Sequence, residues 1–144
     1  MKNNIKDLTF SEIVGAIMLF SFGFRILFRG VFWVKEQGDV LDDSDFYLVL
    51  HHVIPIWIWG ILVGFAGLIT IVSSVFLASS DENNRCSWLL LVGGALTGIL
   101  YFLMTSASVY HAINWLSTVH FAVMSTTGFI VAFIGGADIY ARRK

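Results

Sequence analysis

Residues 54–78 read IPIWIWGILVGFAGLITIVSSVFLA, without a single Asp, Glu, Lys or Arg. The run exceeds the ~20 apolar residues a helix needs to cross a hydrocarbon core ~30 Å thick. Only a helix satisfies its own backbone within one such segment in lipid, so this stretch settles the fold class. Working outward, comparable runs occupy about 10–33, 88–109 and 115–139. The expected fold is all-α: an integral membrane bundle of four transmembrane helices, with 1–144 as one domain.

Composition agrees. The chain has 144 residues, 57% hydrophobic and 13% charged, with a mean hydropathy of +0.79. A soluble domain of this size needs far more polar surface. The formal net charge of −1 includes no basic stripe, which excludes nucleic acid as an expected partner. Cys86 is the only cysteine, so no intrachain disulfide or cysteine metal cage is available. It reads as a small interfacial residue, with palmitoylation as the alternative. Lys2 and Lys6 are followed by Asp7 and Glu12, and the next apolar run lacks a small-x-small cleavage pattern. The first segment is therefore expected to remain as a span.

Four spans put both termini on one side. With that side cytoplasmic, the inside carries Lys2, Lys6, Arg85, Arg142, Arg143 and Lys144. The outside carries Arg25, Arg29 and Lys35, two of them within or at the edge of the first span. The positive-inside rule then favours cytoplasmic N and C termini in a multi-pass cell-membrane protein. The connection 35–45 holds Glu36, Asp39, Asp42, Asp43 and Asp45 and reads as an acidic external loop. Pro55 fits the first turn of the second helix, where its missing N–H costs nothing. Alternatively the helix begins near Phe46 with Asp45 as its N-cap, and Pro55 is a kink. Asp81-Glu82-Asn83-Asn84 reads as a polar inner turn and 110–114 as a tight outer hairpin, with Asn114 capping the fourth span. Trp33, Trp57, Trp59, Trp88 and Trp115 fall near the interfaces and read as membrane anchors.

Small residues recur at packing intervals: Gly60 and Gly64, Gly94 and Gly98, then Gly128, Ala132 and Gly136. In lipid, association depends on close van der Waals approach, which small residues permit. They serve bundle packing or a self-associating face. Thr97, Thr105, Ser106, Ser108, Ser117, Thr118, Ser125, Thr126 and Thr127 crowd the last two spans. Their hydroxyls can bond i−4 carbonyls or reach a neighbouring helix, or line a pore.

The polar residues inside spans are the candidate sites, because charge there is costly. Arg25 and Arg29, at i and i+4, share a face in the outer half of the first span. They either snorkel to headgroups under the acidic loop or form a cationic pocket for an anionic lipid, a quinone oxygen or a haem propionate. His51, His52, His111 and His120 all fall toward the outer side, with His120 deepest. A pair from two helices has the chemistry to ligate a haem iron or a metal, with Asn114, Tyr110 and the aspartates as orienting partners. Interfacial anchoring is the alternative. Glu12 reads as a first-turn carboxylate, Asp138 and Arg142 as an i,i+4 pair, and Arg142-Arg143-Lys144 as a stop-transfer anchor. Walker, dinucleotide, HExxH and nucleophile-elbow motifs are absent from the sequence, so no conventional soluble-site enzyme is expected.

The segments 52–60 (HVIPIWIWG) and 132–143 (AFIGGADIYARR) resemble parts of small polytopic membrane proteins encoded by phages and prophages of Gram-positive bacteria. That resemblance implies a mobile-element accessory, holin-like or host-membrane-modifying, and assigns no functional residue. Three classes are therefore expected: a non-enzymatic protein that self-associates or binds another membrane protein, a haem- or quinone-binding redox subunit, and a small pore or transporter.

Overall fold

The computed structural model describes residues 9–77, 84–111 and 114–144. Six helices follow one another: α1 (Phe10–Lys35), α2 (Gln37–Asp43), α3 (Asp45–Val53), α4 (Ile56–Phe76), α5 (Arg85–His111) and α6 (Trp115–Ala141). Helices α1, α4, α5 and α6 are each long and apolar enough to cross a membrane, and together they form an all-α membrane bundle. Their bounds lie within a few residues of the four expected spans. Most of the polar turn at 81–84, and part of the hairpin at 110–114, lie outside the described residues.

Each helix start has a local cause. Thr9 and Glu12 close a capping box on α1: the Glu12 N–H donates to Thr9 Oγ1 at 3.4 Å, and the Thr9 N–H donates to Glu12 Oε2 at 2.7 Å. Glu12 is thus the expected first-turn carboxylate. Asn114 caps α6, its Oδ1 accepting from the Ser117 N–H at 3.0 Å.

Close backbone contact joins the spans in antiparallel pairs. A Cβ on Gly30 would sit 2.4 Å from Gly64 N and 2.5 Å from Gly60 O, so α1 and α4 touch backbone to backbone. On the second pair, a Cβ on Gly94 would meet Ala132 N at 2.5 Å, and one on Gly128 would meet Gly98 N at 2.6 Å. Further along, Gly135 presses against Ser87 and Leu91, whereas Gly136 has only Leu91 Cδ1 at 3.6 Å. The sequence-based assignment of Gly136 to the seam is therefore displaced by one position. The small-residue faces that invited self-association are occupied by the chain's own helices. Packing continues between α4 and α5, but α1 and α6 do not pack along their lengths.

Most of the hydroxyls are spent on backbone carbonyls, but Thr97 Oγ1 is buried without a partner. Thr70, Thr105, Ser106, Thr126 and Thr127 donate to the residue four back. Between helices, Ser125 Oγ donates to Gly98 O at 2.9 Å and Thr118 Oγ1 to Ser108 O at 3.1 Å. Cys86, expected at the interface, is buried and donates to Ser73 O at 3.5 Å.

The acidic connection is the main departure from expectation. Instead of a loop it forms α2 and α3, which fold back over the end of the bundle. Val40, Phe46 and Leu50 are buried there, joining a core that includes Ile26, Trp33, Trp59, Tyr101, Met104 and Phe121. Asp39 and Asp42 stay exposed, so the segment is amphipathic, and that pattern drives it onto the apolar end. Ser44, not Asp45, caps α3: its Oγ accepts from the Phe46 N–H at 3.1 Å. Pro55 sits neither in a first turn nor at a kink but at the N-cap of α4, after an extended Ile54 (φ −148°, ψ 137°). A residue preceding proline is driven from the helical region, and the break follows. Two bonds pin it: Ile56 N–H to His51 Nδ1 at 3.3 Å, and Trp59 Nε1–H to Leu50 O at 3.1 Å. Trp33 and Trp59 are consequently core residues rather than membrane anchors, while Trp57, Trp88 and Trp115 remain exposed.

Candidate functional site

Beneath α3 lies a partly open cavity of about 370 Å³, lined by Arg29, Ser44, Phe46, Tyr47, Asn114, Leu116, Ser117, His120 and Phe121. Three elements meet there. α1 supplies the cation, the first turn of α3 supplies a hydroxyl and two rings, and the first turns of α6 supply the opposite wall. Both short walls present helix N-termini, whose partial positive charge favours an anion.

Arg29 decides the character of the cavity. Its guanidinium carbon lies 4.9 Å from the Phe121 ring centroid and 5.7 Å from that of Trp33. Two aromatic rings therefore flank the cation, and the Tyr101 hydroxyl of α5 lies close to it. Nη1 is buried and has no hydrogen-bond partner. The ion pairs among the described residues include Lys35–Glu36 and Arg142–Asp138, and neither involves Arg29 or Arg25. Arg29 lies six residues before the end of α1, about 9 Å along the axis at 1.5 Å per residue. Arg25, one turn deeper, is exposed. The contact with Phe121 places Arg29 on the side of α1 that faces α6.

The four histidines part company. Only His120 lines the cavity, its ring 6.1 Å from that of Phe121. His51 spends Nδ1 on the Ile56 N–H, and His52 and His111 are exposed. Among the described residues no group of three or more His, Cys, Asp or Glu could hold a metal ion. At the other end of the bundle, Arg142 Nε donates to Asp138 Oδ2 at 2.8 Å, the expected i,i+4 pair. The same carboxylate also accepts a short hydrogen bond from Ser87 of α5.

Reading the sequence missed Ser44, Phe46, Tyr47 and Phe121. Ser44 ahead of Asp45 and Phe46 was a legible capping pattern, and Phe46 with Leu50 gave one apolar helical face. Phe121 carried no signal, because an aromatic in an apolar span is ordinary.

Fold and site together define a four-span membrane protein whose bundle holds a guanidinium with a buried, acceptor-free Nη1 on a cavity lined by polar and apolar side chains. Comparison of the chain with protein-family models, curated proteins and solved structures found no match.

Proposed function

We propose that this is a small membrane-embedded binding protein, and that its cavity receives the negatively charged group of an amphipathic ligand. The observation that carries the reading is the Arg29 Nη1, buried without an acceptor and clasped by Phe121 and Trp33. Buried donors are normally satisfied, so an orphaned guanidinium edge on a cavity wall calls for an acceptor brought by the ligand. A carboxylate or phosphate supplies two oxygens in the fork geometry of arginine. Ser44, Asn114 and Ser117 add further polar contacts on the same cavity. The protein sits in the cell membrane with both termini in the cytoplasm and the cavity toward the outer leaflet, on the strength of the positive-inside rule.

The test uses detergent-purified protein and two fluorescent probes of equal chain length, one a long-chain carboxylate and one the matching alcohol. The wild type binds the carboxylate more tightly. Arg29→Gln lowers its affinity ~10–100-fold, as expected for one charge-assisted contact of ~1.5–3 kcal/mol. Equal binding of both probes by the wild type would overturn the reading.

A further inference from the structure

The cavity's surroundings narrow the ligand class, in an argument that rests on the binding role just proposed. Three observations bear on it. First, α1 and α6 lack extended packing and meet through Arg29 over Phe121. Below that contact α1 and α6 make no extended contact, and Arg25 stands exposed one turn down α1. Second, α3 covers part of the aqueous end. Phe46 of α3 stacks on Phe121 with centroids 5.2 Å apart, and Tyr47 meets Trp33 edge-on at 6.0 Å. Third, among the described residues the lining holds a guanidinium, hydroxyls, an amide and the His120 imidazole but no carboxylate. An ammonium headgroup would face Arg25 and Arg29 with nothing to pair with, and like charges in a weakly screened site repel.

We infer that an anionic phospholipid with a hydroxyl-bearing headgroup enters between α1 and α6 sideways from the membrane. Its phosphate lies between Arg25 and Arg29, and its headgroup hydroxyls reach Ser44, Asn114 and Ser117. Exposed Leu116, Val119 and Val123 on α6 give the acyl chains an apolar track. A second buried donor without an acceptor, Trp33 Nε1, lies one turn along α1 from Arg29. The neighbourhood is thus short of acceptor oxygens, and a phosphate diester is rich in them.

Native mass spectrometry tests this on the full chain in mixed micelles of phosphatidylglycerol, phosphatidic acid and phosphatidylcholine in equal amounts. The expected result is phosphatidylglycerol retained about tenfold over phosphatidylcholine, the ratio that ~1.4 kcal/mol confers. Arg25→Gln and Arg29→Gln each collapse that ratio. Arg29→Lys keeps the charge without the fork and restores only part of it. Ser117→Ala removes the preference for phosphatidylglycerol over phosphatidic acid while keeping the preference over phosphatidylcholine. Circular dichroism of each variant confirms the helical bundle before its ratio is read. Soluble glycerol phosphate at millimolar concentration should leave the bound lipid in place. Displacement at that concentration would make the aqueous phosphate ester the ligand and overturn lateral entry. If the three lipids are retained equally while the carboxylate and alcohol probes are still discriminated, the phospholipid assignment fails and the binding role stands. Loss of both preferences overturns both.

Discussion

At the scale of single residues, Arg29 sets function against stability. A charge at the centre of a transmembrane helix costs ~2.5–3.5 kcal/mol on insertion scales, an upper bound for Arg29, which lies six residues from the end of α1. Its aromatic clasp returns ~0.5–2 kcal/mol, and the unpaired Nη1 adds a cost of ~1–3 kcal/mol. The empty site is therefore locally unfavourable. Arg29→Met, which keeps the stem and removes the charge, is expected to hold or raise the thermal midpoint in detergent while abolishing the preference for charged probes. A fall of several degrees would mean that the guanidinium is a structural contact instead. Arg25 and Arg29 were legible in the sequence as charges on one face. Which way that face turned was not, because rotation about a helix axis leaves hydropathy unchanged. His51 shows the same limit: threading the chain gave its depth, but only the Pro55 break shows that its Nδ1 accepts from the Ile56 N–H.

At the scale of elements, glycine identity matters by position. Gly30→Ala places a methyl 2.4 Å from Gly64 N, where only backbone can give way, so α1 must lift off α4. Gly64→Ala meets Leu27 Cδ1 at 3.8 Å, an ordinary contact. The first change should cost about 1–3 kcal/mol, as overpacking does, and the second less than ~0.5 kcal/mol, read by denaturation in mixed micelles. Equal effects would deny the α1–α4 seam. The spacing of small residues announced such seams, but not that Gly135 rather than Gly136 is the contact. The sequence also concealed the fold-back of α2 and α3. A run rich in aspartate reads as a loop until Val40, Phe46 and Leu50 find the uncovered bundle end. Trp59→Phe, which removes the Nε1–H bond to Leu50 O, should lower stability by ~1 kcal/mol. It should also speed proteolysis between α3 and α4. Unchanged protease sensitivity would show that apolar packing alone holds the cover.

At the scale of the whole molecule, four membrane-crossing helices return the chain to the side on which it began. A green fluorescent protein fused after Lys144 should fluoresce, and alkaline phosphatase fused there should stay inactive. The reverse pattern would invert the proposed orientation and move the cavity to the inner leaflet. The number, length and class of the spans were determined by the sequence alone. Apolar runs of sufficient length have one way to satisfy their backbone in hydrocarbon, so no tertiary information is needed. Pairing of faces, closure of one end by α2 and α3, and the aim of Arg29 into a cavity were decided only by the tertiary structure. Those depend on helix rotation and on contacts between residues distant along the chain, such as Arg29 with Phe121 and Gly30 with Gly64, which no local run of sequence encodes.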